Sequence, residues 1–342
     1  MLIPVLLFLV GLILLIKGGD WFVDGATGIA ERFHLPDLLI GATVVSIGTT
    51  LPEVMVSATS AVSGHSEIAY GNAIGSIICN TSLIAAITIA VRPGKVSRKT
   101  LTFPICFFFI AALFYAGIAY TTGSFTRWSG ILLLLLFALY MVLTVRQMTS
   151  AESENGPSGL NLNASANSSA FSAQDDQSEK KEADQSSIAK EILLLIVGAA
   201  LIAIGANLLV DNGTLIAEAL GVPESVIALT FVALGTSLPE LVTAITSLIK
   251  GHSALSLGNI IGANLFNLVL VCGISITLNP FDIPVSSTLF GYNASLVLDL
   301  PVMFAVMLIL TIPALLREKL SRVQGVLLLV IYASYCVIQF AM

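Results

Sequence analysis

The residues able to do chemistry occur in two copies. Gly48-Thr49-Thr50-Leu51-Pro52-Glu53 and Gly235-Thr236-Ser237-Leu238-Pro239-Glu240 repeat one pattern, and each sets a carboxylate inside a long apolar stretch. Glu53 lies sixteen residues after Asp37 and eleven before Gly64. At about 1.5 Å per residue, that puts it near the centre of a bilayer-spanning helix. An ionised carboxylate at that depth costs about 2.5–3.5 kcal/mol on insertion scales and is functional by default. The glycine and proline beside it should interrupt the helix in both copies. Such a break frees backbone carbonyls and leaves the N-terminus of a half-helix next to the charge.

The plainer alternative is helix capping, because Thr50-x-x-Glu53 and Ser237-x-x-Glu240 fit the S/T-x-x-E box. Capping explains the spacing. It does not explain why a helix should restart in mid-membrane twice, with an ionisable group each time.

The following helix of each copy adds polar groups at i, i+4 spacing, which share one face. They are Asn72, Ser76 and Asn80 in the first copy, and Asn259 and Asn267 in the second, where Ala263 stands at the Ser76 position and Asn264 replaces Ile77. Gly71 and Gly75, like Gly258 and Gly262, form small-residue stripes for close helix packing. Packing hydrogen bonds suffice for Asn72 and Asn259, two turns from the midplane, whereas Asn80 and Asn267 share the depth of the carboxylates. Two carboxylates, hydroxyls, amides and freed carbonyls make an all-oxygen set with no His or Cys. Such a set suits hard cations, and calcium accepts six to eight oxygens in flexible geometry. Two carboxylates neutralise one calcium. The same cage could hold several sodium ions, so each cation would exclude the other and exchange would follow.

The elements that hold this set must be membrane helices. Of 342 residues, 56% are hydrophobic and only 11% charged, with a mean hydropathy of +0.95, which excludes a cytoplasmic enzyme. Apolar runs near the length of roughly 20 residues that a bilayer helix needs recur between polar breaks. Helices are predicted near residues 2–32, 37–63, 67–91, 100–121 and 127–147, then 188–219, 224–250, 253–278, 294–316 and 322–341. Met1-Leu2-Ile3-Pro4 opens the first run without a basic segment or a small-residue cleavage site, so a retained helix is expected. Residues 148–187 are rich in Ser, Asn, Gln, Ala and acids and lack apolar periodicity, which predicts a disordered acidic linker. Their acids lack the spacing of a calcium loop. The net charge of -6 arises largely outside the helices, and no basic patch supports nucleic-acid binding. Cys79, Cys106, Cys272 and Cys336 lie in apolar runs without C-x-x-C spacing, so neither a disulfide nor a thiolate site is expected.

Sliding the sequence on itself by about 187 residues matches residues 36–80 to 223–267 at about 19 of 45 positions, against roughly three by chance. At an offset of 195, Arg127-x-x-Gly130 falls on Arg322-x-x-Gly325 and Tyr140 on Tyr335. Five helices per copy is an odd number, so the copies enter the membrane from opposite sides. The expected fold is therefore all-α and polytopic, with ten transmembrane helices as two inverted five-helix repeats (1–147 and 188–342) and a site between them. Lysine and arginine placement predicts both termini outside and the linker in the cytoplasm. Arg32, Arg92, Lys95, Arg98, Lys99, Arg146, Lys180, Lys181, Lys190, Lys250, Arg317, Lys319 and Arg322 then fall inside and Arg127 outside, with Lys17 within the first helix. Asp24 and Asp211 are expected at the interface, Asp299 as an ordinary acid at a helix start, and His65 and His252 in matching turns.

At these motifs the chain resembles the sodium/calcium exchanger branch of the cation/calcium exchanger superfamily, whose inverted repeats carry G-T-[ST]-x-P-E and G-N-x-x-G-S-x-x-x-N. The resemblance covers both halves and excludes the linker. It implies alternating access, with the first and sixth helices sliding over the core, and calcium moved against sodium in a cell membrane, the inner membrane of a prokaryote. By the same resemblance Glu53 and Glu240 bind both cations. Thr49, Thr236, Thr50, Ser237 and Ser76 supply hydroxyl or carbonyl ligands, and Ser46 and Ala233 supply carbonyls. Calcium and sodium are substrates, no cofactor is implied, and a monomer in the lipid bilayer is expected. Three positions depart from the pattern. Ala263 stands where the second repeat usually has Ser, which removes one sodium ligand. Asn267 replaces the Asp of potassium-dependent relatives, which argues against potassium co-transport, and Ser46 replaces the usual Ala. The alternatives are a calcium/proton antiporter and, less so, a cation channel with the carboxylates as a selectivity ring. No hydrolase motif supports an enzyme.

Overall fold

The computed structural model describes residues 2–33, 35–155, 176–220, 235–285, 288–289 and 291–341. The described residues contain ten helices in the expected order. The first five are α1 (Leu2–Arg32), α2 (Asp37–Val62), α3 (Ser66–Cys79, Asn80–Ala85 and Ala86–Val91), α4 (Arg98–Thr121) and α5 (Arg127–Asn155). The second five are α6 (Asp176–Ala219), α7 (Leu238–Lys250), α8 (Ser253–Leu278), α9 (Ser295–Arg317) and α10 (Arg322–Ala341). Nine are long and apolar enough to cross a membrane. The tenth, α7, falls short because residues 221–234, part of the expected seventh helix, lie outside the described residues.

Burial separates core helices from the periphery. In the most apolar window 83% of residues are buried for α8 and 72% for α3, against 22% for α1 and α6 and 17% for α10. The outer helices turn leucine, isoleucine and valine outward, among them Leu6, Ile13, Leu135, Leu193, Ile196 and Val330. In a lipid solvent such a surface needs no polar cover. Around α8 the core fills with aromatics: Phe103, Phe107 and Phe266 pack on the ring of Tyr140.

Contacts between the repeats obey the inverted symmetry. The backbones of α1 and α6 meet at glycines, where a Cβ on Gly18 would stand 2.8 Å from Ile202 N and one on Gly198 only 2.5 Å from Phe22 N. Gly11 meets Gly205 in the related way. Two short β contacts tie the loops. β1 (Ser124–Phe125), between α4 and α5, pairs antiparallel with β2 (Phe281–Asp282), between α8 and α9. On the other face Lys95, between α3 and α4, bridges Lys319, between α9 and α10. Exchanging the repeats turns one pairing into the other. A local hairpin joins β3 (Thr288–Leu289) to β4 (Tyr292–Asn293).

Two expectations are altered. The helices flanking the linker run further than the apolar signal, α5 to Asn155 and α6 from Asp176, because their Ala, Glu, Gln and Lys are good helix formers even without an apolar stripe. Residues 156–175 of the expected linker lie outside the described residues. The expected break beside the carboxylate occurs only in the second copy. There α7 starts at Leu238, after Ser237 at φ -90°, ψ 4°. In the first copy Ser46–Val62 is one helix through Pro52. Proline deletes a single backbone bond, and a helix held between α3 and α8 can absorb that loss without ending.

Candidate cation-binding site

The fold brings Glu53 and Glu240 to the interface between the repeats. Both are fully buried, and none of their four carboxylate oxygens has a hydrogen-bond partner. They lie close enough to feel each other's charge, and the Thr49 hydroxyl of the first repeat lies beside Glu240 of the second. Capping is not what these residues do. Ser237 stands at the N-cap of α7 without making a side-chain capping bond, and its hydroxyl is buried and unpartnered, as is that of Thr50.

Asn80 and Asn267 are also fully buried, and all four of their amide atoms lack partners. A buried polar group left without a partner costs about 1–3 kcal/mol, so leaving two amides, two carboxylates and two hydroxyls bare in one region is expensive. Oxygen-coordinated cations are what such a group fits. Each amide opens a π-helical turn, Asn80–Ala85 in α3 and Asn267–Val271 in α8. Turns of this kind interrupt the regular bond ladder and concentrate at functional sites. The sequence gives no sign of them, because no proline or glycine falls at Asn80–Ala85. A further π turn, Gly41–Val45, precedes the Glu53 segment of α2.

Around this centre the amides expected to pack do so. Asn72 donates to Glu53 O at 3.2 Å and Ser57 Oγ at 2.8 Å, which fixes α2 against α3. Asn259 accepts from Thr49 Oγ1 at 3.1 Å, and its carbonyl lies 3.0 Å from Ser46 Oγ, which also lies 2.7 Å from Gly41 O. The hydroxyls of Ser46 and Thr49 are thus engaged across the repeat interface. Gly262 makes this approach feasible: a Cβ there would stand 2.3 Å from Ser46 Oγ and 2.6 Å from Ala42 Cα. Ser76 is buried on α3, Thr236 is half-buried, and Ala233 lies outside the described residues. Ala263 is fully buried on α8 beside Asn264, which donates to Thr81 Oγ1 at 2.7 Å.

Sequence reasoning overlooked Thr243 and Ser247, one and two turns beyond Glu240 on α7, which are fully buried with unpartnered hydroxyls. Their spacing of three and seven from Glu240 was the available signal. A cavity of about 10 Å³, room for about one water, separates Gly48, Thr49, Pro52 and Pro239 from Phe22 of α1 and Ile202 of α6. The α1–α6 pair therefore forms one wall beside the site.

Comparison with known proteins gives a consistent set of relatives. The sequence profile of the family described as sodium/calcium exchanger protein matches residues 3–146 and 190–341. The sodium/calcium exchanger MaX1 of Methanosarcina acetivorans is 31% identical over 357 residues, covering 98% of each chain. The inner membrane protein YrbG of Escherichia coli is 32% identical, covering 90% of this chain and 89% of its own. Among solved structures, the sodium-calcium exchanger NCX_Mj soaked with 2.5 mM Na⁺ and 0.1 mM Ca²⁺ superposes with a TM-score of 0.77 at 29% identity, covering 98% of both chains.

Proposed function

Because the chain belongs to the sodium/calcium exchanger family, we propose that it exchanges calcium for sodium, both bound in turn at Glu53 and Glu240. Membership makes it a multi-pass membrane transporter of the cation/calcium exchange class and not an enzyme. One observation carries the finer reading: two carboxylates from opposite repeats, both buried and all four oxygens bare. Two like charges that close repel strongly at low dielectric, and a divalent cation cancels both. Ser237, Thr50, Asn80 and Asn267 complete an oxygen shell, with Thr49, Thr236, Ser76, Ser46 and Ala233 as the remaining ligands. Sodium occupying the same oxygens excludes calcium, which couples the two fluxes.

Alternating access follows from the division between core and periphery. α1 and α6 pack on each other along their length and expose most of their surface, so they can shift as a pair over the site wall that they form. Charge placement supports an orientation with both termini outside and the loops carrying Lys95 and Lys319 in the cytoplasm. The test is calcium uptake by the purified protein in sealed vesicles, driven in turn by a sodium and by a proton gradient. Uptake that follows sodium supports the reading. Uptake that follows only the proton gradient makes the chain a calcium/proton antiporter, and saturation-free flux without a counter-ion makes it a channel.

A further inference from the structure

A second cavity, of about 40 Å³, opens on the face where the α3–α4 turn meets the α9–α10 turn. By the rule that a water needs about 10–15 Å³, it holds a group of several heavy atoms. Arg92, Lys95, Ser253 and Ser256 line it, with Leu248 and Leu320 closing its sides. Ser256 is 2% exposed and its hydroxyl is unpartnered. Ser253 begins α8, whose N-cap residue His252 makes no side-chain capping bond, so first-turn N–H groups remain to be satisfied. Arg92 spends one N–H on Leu248 O at 3.0 Å and has four more.

The positive charge there outweighs its neighbouring carboxylate, Glu318, whose Oε1 accepts from Arg98 N at 3.3 Å. Lys95 and Lys319 face each other across an antiparallel bridge, an arrangement of like charges that destabilises. Among the described residues neither these two nor Arg92 has a carboxylate within ion-pair distance. Duplication does not account for the arrangement either. The counterparts of Arg92, Lys95, Ser256 and Lys319 on the other face are Asn279, Asp282, Ala69 and Ser124, none of them cationic. Cations around a cavity also rule it out as a mouth for calcium.

We propose that this cavity binds a phosphate group, held by Arg92, Lys95, the Ser256 hydroxyl and the first N–H groups of α8, with Lys319 adding positive charge beside Lys95. An anionic lipid headgroup and free inorganic phosphate present the same recognising chemistry. Placing the site at the cytoplasmic leaflet rests on the orientation given above, but the binding chemistry does not. Bound there, the anion would clamp the α3–α4 turn of the first repeat to α8 and the α9–α10 turn of the second.

Native mass spectrometry of the full-length protein with phosphatidylglycerol or phosphatidylcholine tests the lipid source, and thermal unfolding in phosphate against chloride at equal ionic strength tests the free ion. Retention of phosphatidylglycerol over phosphatidylcholine, or stabilisation by phosphate, is expected to fall at least five-fold in Arg92→Gln/Lys95→Gln and to persist in Arg127→Gln on the opposite face. Should the double variant fold poorly, the exposed single changes Lys95→Gln and Lys319→Gln carry the same expectation. A response to the lipid alone assigns the headgroup, and a response to phosphate alone assigns the free ion. Equal responses in wild type and in these variants, or no response to either probe, would overturn the site, whatever the outcome of the sodium-driven calcium uptake.

Discussion

Lys250, at the end of α7, reaches Asp24 on α1, with Nζ 2.7 Å from Oδ1. The same ammonium donates to Asp20 O at 2.9 Å and lies 3.6 Å from its carboxylate. The bond joins the peripheral α1–α6 pair to a helix that carries a site carboxylate. Its inverted counterpart is missing, since Ser63 replaces Lys250, and Asp211, the match of Asp24, is exposed without an ion pair among the described residues. The tie therefore holds α1 on one face only.

Lys250→Gln and Asp24→Asn should each loosen that face and favour the state open to it. The Asp24 side chain is 54% exposed and that of Lys250 24%, so solvent screening limits the pair to below about 1 kcal/mol, a shift of no more than about five-fold. Calcium concentration for half-maximal exchange, measured separately from each side, should change on the Lys250 side. The double variant should resemble Lys250→Gln alone, because that change already removes the bond to Asp24. Additive effects would mean that the two residues act independently.

Glu53→Gln and Glu240→Gln leave a divalent cation with one neutralising charge in a dry site. Each should lower calcium transport by roughly 100-fold or more while leaving the thermal unfolding of the purified protein near that of the wild type. A uniform loss of expression would instead assign the carboxylates a structural role. Normal uptake by either variant would remove the midplane site.

Ala263 is buried on α8, one residue before Asn264, where the matching residue of the first repeat is Ser76. If the position faces the ions, Ala263→Ser adds an oxygen to the cage, worth about 0.5–1.5 kcal/mol by the usual scale of such bonds. Sodium should then inhibit calcium uptake at concentrations roughly two- to ten-fold lower. An unchanged inhibition curve would turn this side chain away from the site.

How much of this was legible can be argued residue by residue. Glu53 and Glu240 stood out because charge in a long apolar run is costly, and Asn80 and Asn267 because helical periodicity gives depth. The engaged hydroxyls of Ser46 and Thr49 were not readable, since their partner Asn259 lies in the other repeat and a periodicity describes one helix at a time. The unbroken helix through Pro52 was missed for a related reason: proline's local cost is visible in sequence, but the helices that hold its neighbours are not. The π turns at Asn80 and Asn267 have no composition signal at all. The tie from Lys250 to Asp24 likewise joins residues that are far apart in the chain and unremarkable alone.

The linker has its own forecast. Residues 156–175 separate two helices that hold the ends of the repeats, and none of the proposed ligands lies there. Replacing them with a shorter Gly/Ser stretch that still spans the gap should leave the maximal transport rate intact. A loss of dependence on cytoplasmic calcium at a fixed gradient would give the segment a regulatory role. A large fall in maximal rate with the protein still folded would show that the repeats do not contain the whole machine.

The close backbone approach of α1 to α6 also makes a stability forecast. At Gly198 a Cβ would meet Phe22 N at 2.5 Å, Phe22 Cα at 2.7 Å and Gly18 O at 2.8 Å, all of them backbone atoms that can move only if α1 and α6 separate. At Gly28 the atoms met first belong to the flexible Glu191 side chain, its Cγ at 2.9 Å. Gly198→Ala should therefore destabilise by about 1–3 kcal/mol, the range for overpacked sites, whereas Gly28→Ala should cost less because what must give is the Glu191 side chain and its 3.3 Å ion pair with Arg32, not backbone. Thermal unfolding of the two variants in the same detergent compares them directly. Equal stability would show that the α1–α6 crossing is looser than a backbone contact, and that the pair cannot be treated as one sliding unit.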